Sequence, residues 1–430
     1  MAQTGHSYII KIKELTSKQP TLPHLANSKS SLKQAFPLSQ LLHKSPATLS
    51  NSAKKIINDL QKYYVLTLDN DENVGERTAF LKKNIESIEP NRIFHLDKAE
   101  TYPNDSLFDS QWNLKRIGAD KAWKTVTGNG IKVGVLDTGT DFFHPDLVNQ
   151  LWINSKEDIN HNGKFEAWSS SETRDGVTGD LDGIDGDENG YIDDVIGYDF
   201  VDQSLLNIGD AEVRDPIPFD EQGHGTSVAG IICASQNNTI GVAGIAYNSK
   251  LITLRAFDAT GNAEEDDISA AIIYAALNGI QVLNMSFGDV ISSPITHDAC
   301  RFADAMGVVL IASAGNDGST LRRFPASYPE VIAVAATTAI DARASFSSYG
   351  SHIALSAPGV GIPTTAIGGK YKLNFQGTSA SAPHVAAAAA MLLEANSNLN
   401  PVEIRGVLQA SCDDVGPKGW DTDFGSGVRS

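Results

Sequence analysis

The residues whose types and spacing point to chemistry are a serine, a histidine and an aspartate, each within a short glycine-rich motif. Ser379 stands in Gly-Thr-Ser-Ala-Ser-Ala-Pro-His, a tight turn that leads into an alanine-rich run typical of a helix. Unpaired backbone N–H groups at a helix N-terminus stabilise negative charge. An acyl-transfer enzyme needs its nucleophile in such a place, because the oxyanion of the tetrahedral intermediate forms beside the attacking oxygen.

The aspartate and the histidine are of the residue types that activate a serine nucleophile. Asp137 ends the β-branched apolar run Ile-Lys-Val-Gly-Val-Leu-Asp, and His224 lies between two glycines in Gly-His-Gly-Thr-Ser-Val-Ala-Gly. A histidine titrates near neutral pH and can take the serine proton, while a carboxylate orients the imidazole. Each motif alone is ordinary for a helix cap or a turn, but the three together in this order favour a catalytic triad. His384 lies five residues after Ser379, so it points elsewhere on the helix and is predicted to be structural.

These motifs, together with Ser-Ala-Gly-Asn at 313–316, resemble the subtilisin-like serine proteases, or subtilases, over about residues 105–427. The resemblance implies a serine endopeptidase that cleaves extended polypeptides. It also implies that Asn316 donates its side-chain amide to the oxyanion together with the backbone N–H of Ser379. The sedolisin type shares the fold but uses an acid as the base, and His224 argues against it. A catalytically silent, calcium-dependent binding module is a second alternative, against which the intact triad argues.

The same resemblance assigns the substrate cleft. One side is Ser286, Phe287 and Gly288, and the wall opposite is Ala312, Ser313, Ala314 and Gly315. The first segment resembles an edge strand that pairs with the backbone of an extended peptide, which favours broad specificity. Small residues in the second segment leave room for a large apolar side chain before the cut. Because no acid marks the base of this pocket, strict specificity for basic residues is not expected.

An acidic segment predicts bound cations. Residues 157–220 contain 18 Asp and Glu against three Lys and Arg, so the segment repels itself unless cations neutralise it. Within it, Asp-Gly-Asp-Glu-Asn-Gly follows the opening of an EF-hand calcium loop. Its candidate ligands are Asp185, Asp187, Asn189 and the carbonyl of Tyr191. Ile196 occupies the position of the usual closing glutamate, so Asp193 or Asp194 must close the site; the alternative is a solvated acidic loop.

A second calcium site is implied by the resemblance alone. Its candidate ligands are Asp105, Asp146, Asn238 and the carbonyl oxygens of Gln236, Ile240 and Val242. Ca²⁺ is therefore the predicted cofactor. Sites of this kind fill at extracellular calcium levels more readily than at cytosolic ones. The protein is accordingly predicted to be secreted or at the cell surface, although the N-terminus shows no signal peptide, and an intracellular protease without a propeptide is the alternative.

The elements that must position these residues alternate along the chain. Strands are predicted at 131–136, 250–256, 280–286, 307–313 and 331–336, and helices at 224–234, 264–278, 295–306, 378–395 and 401–410. Alternation with Val/Ile-rich strands predicts an α/β fold, a parallel central sheet with helices on both faces. Ligands bind beyond the carboxyl ends of such strands, where Asp137, Ser286 and Asn316 stand.

The first hundred residues differ in charge from the rest. Residues 1–101 contain 14 Lys and Arg against 10 Asp and Glu, although the 430-residue chain has a net charge of −18. Strands at 7–12, 62–68 and 92–96 and a helix at 76–88 predict a small α+β unit. The resemblance implies that 1–101 is a propeptide that assists folding, occupies the active site of the catalytic domain at 102–430, and is removed by self-processing. An unrelated N-terminal domain is the alternative.

The composition of the chain argues against two classes of partner, nucleic acid and a membrane. The acidity argues against nucleic acid, whose phosphates it would repel. No apolar run approaches the roughly 18 residues of a membrane span. The three cysteines cannot all pair within one chain and are predicted to be buried apolar residues. The C-terminal end resembles a point in the family after which the chain continues, so it is expected to be truncated.

Overall fold

The computed structural model describes residues 6–13, 31–34, 55, 58–68, 85–91, 102–204, 208–211 and 213–429. The chain divides into two compact units, Met1–Glu100 and Thr101–Ser430. Elements are numbered in chain order.

The first unit contains a four-stranded antiparallel sheet in the order β2-β3-β1-β4. Its strands are β1 His6–Ile12, β2 Ser31–Gln34, β3 Tyr63–Leu68 and β4 Ile85–Pro90. The strands predicted at 7–12 and 62–68 are present, and the one at 92–96 lies outside the described residues. The helix predicted over 76–88 is wrong from Ile85 onward, because backbone pairing with β1 outweighs the helical spacing there; its earlier part is outside the described residues.

The second unit is built on a nine-stranded sheet in the order β16-β17-β13-β12-β11-β10-β5-β9-β8. Neighbouring strands run parallel except β16 and β17. The strands are β5 Lys132–Asp137, β8 Gly197–Asp199, β9 Lys250–Arg255, β10 Val282–Met285, β11 Val309–Ser313, β12 Val331–Thr337, β13 Leu355–Pro358, β16 Cys412–Asp413 and β17 Val428–Arg429. Two hairpins stand apart from it, β6 Thr173–Arg174 with β7 Val177–Thr178, and β14 Ile362–Ala366 with β15 Lys370–Phe375.

Seven α-helices occur in the described residues of this unit. They are α1 Trp112–Arg116, α2 Ala119–Ala122, α3 His224–Cys233, α4 Glu265–Leu277, α5 Pro294–Ala305, α6 Thr378–Ala395 and α7 Pro401–Ala410. One apolar core contains side chains of α3, α6 and α7, and another contains those of α4 and α5. Alternate residues of each central strand enter the two cores; Val309 and Ile311 face one, and Leu310 and Ala312 the other. The prediction of a parallel sheet covered on both faces is confirmed.

The arrangement of sheet and helices decides which loops meet. β5, β10 and β11 are adjacent in the sheet, so their carboxyl ends open on the same edge. α6 packs across β10, β11, β12 and β13. The alanines of α6 from Ala386 to Ala390 are almost wholly buried; their small side chains let this helix approach the sheet closely. None of the helices in the described ranges is long and apolar enough to cross a membrane.

Candidate active site and metal sites

The side chains of Asp137 and His224 are joined by a short hydrogen bond. Asp137 ends β5 and is almost completely buried, and His224 begins α3. His224 Nδ1 lies 2.7 Å from Asp137 Oδ1. The same carboxylate oxygen accepts from the backbone N–H of Thr138 at 2.8 Å. The backbone of the turn after β5 thus holds the carboxylate in the position from which it contacts the imidazole.

Asp220 organises the backbone around this pair. Its carboxylate accepts five hydrogen bonds, from the backbone N–H groups of Gln222, Gly223 and Thr226 and from the hydroxyls of Thr138 and Thr226. The Thr138 hydroxyl in turn accepts from the backbone N–H of Gly225 at 2.9 Å. These contacts tie the turn after β5 to the start of α3. Sequence reasoning missed Asp220, although an acid four residues before His224 was a usable signal.

Ser379 lies in the first turn of α6, at the same edge of the sheet. Its hydroxyl donates to the backbone carbonyl of Ser286 at 2.9 Å, and the Ser286 hydroxyl donates to the carbonyl of Ser379 at 3.0 Å. This reciprocal pair joins α6 to the segment that follows β10. Within the described part of the chain, no hydrogen bond joins the Ser379 hydroxyl to His224. The hydroxyl must therefore rotate away from the Ser286 carbonyl before His224 can take the serine proton.

The amide of Asn316 has one defined orientation. Its Oδ1 accepts from the backbone N–H of Thr378 at 2.8 Å and from the Thr378 hydroxyl at 3.0 Å. A backbone N–H can only donate, so Oδ1 must be the oxygen and Nδ2 the donor group. No described residue accepts a hydrogen bond from Nδ2, which leaves this group beside the Ser379 turn available to a ligand oxygen.

The two histidines near this turn have opposite electrostatic surroundings. Burial pulls the pKa of His224 down, but the negative charge of Asp137 and its hydrogen bond raise it more, so the net pKa lies above the usual value. Burial lowers the pKa of His384 to about 4. The His384 ring nitrogens lie 2.8 Å from the Ala380 carbonyl and 2.9 Å from Asn113 Nδ2. His384 is therefore a structural residue of α6, as predicted.

A cleft with a cavity of about 490 Å³ opens beside Ser379. Ser286, Phe287 and Gly288 line one wall, and Ser313, Gly315 and Asn316 line the other. The side chains of Ala312 and Ala314 point into the core instead and do not form the wall, because successive residues of a strand face opposite ways. β10 lies inside the sheet, between β5 and β11, and Ser286, Phe287 and Gly288 follow its carboxyl end; the pairing of this segment with a peptide stays a prediction.

A family model described as the subtilase family matches residues 128–427. The chain belongs to the subtilase family. The thermophilic serine proteinase of Bacillus sp. (strain AK1) is 34% identical over 368 residues, which are 85% of this chain and 76% of that protein. Thermitase of Thermoactinomyces vulgaris is 31% identical over 318 residues, 74% of this chain and 94% of that one. A solved protease structure from Pseudoalteromonas arctica, 28% identical, matches with a TM-score of 0.62 and covers 76% of this chain and 97% of its own.

This subtilase is accordingly a serine endopeptidase, a hydrolase that acts on polypeptides. The predictions of family and enzyme class are confirmed.

The acidic segment of this subtilase brings three carboxylates together. Oxygens of Glu157, Asp185 and Asp187 lie within 4.8 Å of one another. Asp185 also accepts from the backbone N–H groups of Asn189 and Gly190, at 3.1 and 2.7 Å, which curls the loop around its carboxylates. Glu157 was missed from the sequence, because its separation from Asp185 gives no spacing signal.

The two aspartates expected to close this loop have other partners. Asp193 accepts from the backbone N–H groups of Asp182 and Gly183. Asp194 accepts from the side chains of Asn154, Asn189 and Tyr274, at 2.9, 2.8 and 2.6 Å. Asp194 therefore fixes the loop against the core, and the carboxylate that lies beside Asp185 and Asp187 is that of Glu157.

The candidate ligands of the second predicted metal site lie around the loop at 236–242. The Asp105 carboxylate accepts from the backbone N–H groups of Asn237 and Asn238, at 2.9 and 3.3 Å. Asp146 accepts from Asn238 Nδ2 at 2.6 Å and from the Val242 N–H at 3.1 Å. Asp105, Asp146 and Asn238 thus lie together, and burial raises the pKa of Asp146. The carbonyls of Gln236, Ile240 and Val242 accept no hydrogen bond from the residues that the structure describes.

Proposed function

We propose that this subtilase cleaves polypeptides with Ser379 as nucleophile, His224 as general base and Asp137 as the group that orients the base. The observation that carries the proposal is the 2.7 Å bond between His224 and Asp137 at the edge of the sheet where Ser379 begins α6. Bonded through Nδ1, the imidazole keeps Nε2 for the proton of the serine. The raised pKa of His224 suits a base that stabilises the proton it accepts.

The reaction proceeds in two balanced halves. The Ser379 hydroxyl rotates from the Ser286 carbonyl and passes its proton to His224 as its oxygen bonds to the scissile carbonyl carbon. Asn316 Nδ2 and the Ser379 N–H donate to the oxyanion. His224 returns the proton to the leaving nitrogen as the C–N bond breaks, and a water then releases the acyl group from Ser379 by the same steps.

The segment 286–288 offers its backbone to an extended substrate, which supports broad specificity. Peptide N–H and C=O groups are common to all sequences, so pairing with them does not discriminate among side chains. Discrimination must come from the cavity beside Ser379.

We also propose that Ca²⁺ stabilises the fold at two places. Hard oxygen ligands fit this ion. The carboxylates of Glu157, Asp185 and Asp187 provide them at one place. At the other, Asp105 and Asp146 contact the loop at 236–242, in which the carbonyls of Gln236, Ile240 and Val242 accept no hydrogen bond from the described residues. Bound Ca²⁺ supplies positive charge that offsets the repulsion between these carboxylates, and it takes no part in the chemistry at Ser379.

Two further proposals concern where the protein works and how it matures. Millimolar calcium outside the cell favours occupancy of such sites, which supports secretion. Residues 1–101 carry a net positive charge, and the remainder of the chain carries a net negative charge. Opposite charges attract, which supports a role of residues 1–101 as a propeptide that binds the catalytic domain. Self-processing predicts that the active protein loses about its first hundred residues and that the Ser379→Ala variant retains them.

A fluorophosphonate label, casein digestion and the mass of the purified chain test these roles. Ser381 is the matched control, because it lies on the same helix, is buried, and donates to the carbonyls of Ala357 and Pro358. The parent and Ser381→Ala should take the label and digest casein, and Ser379→Ala should do neither. Digestion by Ser379→Ala above a few per cent of the parent rate would reject the assignment.

A further inference from the structure

The β14–β15 hairpin packs against α3, the helix that begins with His224. Two hydroxyls of β14 donate to backbone carbonyls of α3 at 2.6 Å each, Thr364 to Ser227 and Thr365 to Thr226. A Cβ added to Gly230 of α3 would lie 2.1 Å from the Thr365 hydroxyl oxygen, so hairpin and helix are in direct contact. The hairpin therefore helps to decide where α3 lies, and with it the imidazole of His224.

Lys372, a half-buried residue of β15, adds a cation to this contact. Its Nζ donates to the Ser227 hydroxyl at 3.2 Å and to the backbone carbonyl of Gly223 at 3.4 Å. Gly223 immediately precedes His224 and caps the helix. The Ser227 hydroxyl also donates to the Gly223 carbonyl, at 2.8 Å. The ammonium group, the hydroxyl and the carbonyl thus form one closed set of contacts around the first turn of α3.

The charge of Lys372 is in an unfavourable place for the helix itself. The N-terminus of a helix carries partial positive charge, which stabilises anions and not cations. The two partners of Nζ in the described part of the chain are both uncharged, so no carboxylate there offsets the cost. Packing against α3 alone does not explain a charge at this position, since an apolar side chain of the same length would fill the same space.

The ammonium group of Lys372 and the imidazole of His224 contact the same phenyl ring. Lys372 Nζ lies 5.8 Å from the centroid of the Phe375 ring. The imidazole meets that ring edge-on, at a centroid distance of 5.5 Å. The cation is thus close enough to the catalytic candidate for its charge to act on the ring, through a partly buried region where screening by water is weak.

Charges of opposite sign act on His224 from the surrounding elements. Asp137 at the end of β5 and Asp220 before α3 raise its pKa, whereas burial and Lys372 on β15 lower it. The aspartates hold the imidazole and its turn in place, but their charge also favours the protonated ring. A protonated ring cannot accept the serine proton, so a positive charge on the opposite side keeps the base available.

We propose that Lys372 is a positioning residue for His224: it fixes the first turn of α3 against β15, and its charge opposes a second positive charge on the imidazole. The proposal rests on the role of His224 as the general base. Lys372 thereby extends to lower pH the range in which the base is neutral, without a contact to substrate.

The test compares two measurements of the same titration. One is imidazole NMR of His224 in a Ser379→Ala background, and the other is the fall of kcat/KM for a peptide ester as pH decreases. Lys372→Met keeps the length of the stem and removes the charge. Its midpoint should rise by about 0.5 pH unit, the effect of a unit charge several ångströms away in a partly solvated region. Well below the midpoint, kcat/KM should therefore fall about threefold.

Two matched variants separate the charge from the fold. Lys372→Arg keeps the charge and should retain the parent midpoint. Lys370 stands at the turn end of the same strand, is exposed, and contacts His144 through its backbone carbonyl; Lys370→Met should move the midpoint less than Lys372→Met does. The shift in Lys372→Met should also shrink between about 0.05 and 0.5 M salt, because salt screens charges. A lost packing contact would show no such salt dependence.

The possible failures are distinguishable. A parent-like NMR midpoint in Lys372→Met, or an equal shift in Lys370→Met, would overturn the role of Lys372 and leave the role of His224 intact. A shift of the NMR midpoint that the kcat/KM profile does not follow would instead refute His224 as the base.

Discussion

In the proposed mechanism, the orientation of the Asn316 amide is the residue-level feature that bears most directly on turnover. Thr378 holds Oδ1 with its N–H and its hydroxyl, so Nδ2 is in place before substrate arrives. A donor that needs no reorganisation stabilises the oxyanion more than it stabilises the ground-state carbonyl. Its loss should therefore affect the chemical step far more than binding.

Asn316→Ala should lower kcat by about 100- to 1000-fold, the cost measured for loss of such a donor in subtilisin, and leave KM near the parent value. Steady-state kinetics on a peptide ester would measure both. Asn262 is the matched control, because it lines the same cavity but donates to the Thr260 hydroxyl; Asn262→Ala should turn over at close to the parent rate. Parent-like turnover in Asn316→Ala would show that Nδ2 does not reach the oxyanion.

The pH dependence follows from the charge of Asp137. Only the neutral imidazole of His224 can accept the serine proton, so kcat/KM should fall as pH decreases through its raised pKa. Burial and Lys372 act to lower this pKa, and Asp137 and Asp220 act to raise it. Asp137→Asn removes the larger raising charge, so the His224 midpoint should move to lower pH.

Imidazole NMR titration in a Ser379→Ala background would measure that midpoint without self-digestion. Asp298→Asn is a suitable control, because Asp298 is largely exposed and pairs with Arg301. It should leave the midpoint unchanged. A midpoint that is equal in the parent and in Asp137→Asn would contradict the electrostatic role of Asp137.

Chemically distinctive side chains were the part of the candidate site that the sequence indicated. Asp137, His224, Asn316 and Ser379 each stand in a motif whose neighbours are equally distinctive. Glu157 has no such motif, and its approach to the loop at 185–190 depends on tertiary folding alone. The sequence also could not predict which way the Ala312 and Ala314 side chains point. In an apolar strand buried on both faces, only the folded core shows which residues face the cleft.

At the scale of elements, the approach of α3 to the turn after β5 decides the geometry of the site. A Cβ added to Gly225 would lie 2.2 Å from the Gly139 carbonyl oxygen and 3.1 Å from Asp137 Cβ. Any larger residue must push the helix away, and His224, which begins this helix, would move away from Asp137 with it.

Gly225→Ala should destabilise the fold by about 1–3 kcal/mol, the usual cost of overpacking, and should lower kcat/KM. Gly406→Ala is the matched control, because Gly406 lies in α7 and has nothing within 4 Å of an added Cβ. It should stabilise by about 0.5–1 kcal/mol, since alanine restricts the unfolded chain. Thermal unfolding in a Ser379→Ala background would compare them, and equal melting temperatures would contradict the close approach.

Long periodic elements were predictable and short ones were not. The five helices and five strands predicted around the site are all present, because each has a strong apolar pattern. β8 and the β14–β15 hairpin gave no comparable signal. β8 has three residues, and β15 has no fully buried residue. Such strands are defined by the neighbours with which they pair rather than by their own sequence.

At the scale of the whole molecule, the distribution of charge separates two kinds of acidic cluster. Asp202, Asp266 and Asp267 form a second carboxylate group, but Arg214 contacts all three. The group of Glu157, Asp185 and Asp187 has no ion pair with a cation among the described residues. Only the latter group needs an external ion for neutrality, so the two clusters provide a matched comparison for calcium.

Removal of calcium should destabilise the folded protein and accelerate self-digestion. An ion bound only by the folded state stabilises it by about 2.7 kcal/mol at a hundredfold excess over Kd, so EGTA should lower the melting temperature by several degrees. Asp185→Ala with Asp187→Ala should remove most of the contribution of the acidic segment and leave Asp137 and His224 in place. Asp202→Ala with Asp266→Ala should keep the full response to EGTA, because that cluster already has Arg214. If the first double variant melts with the parent and responds equally to EGTA, the loop at 185–190 is a solvated acidic turn, and the stability of the fold depends on calcium elsewhere or not at all.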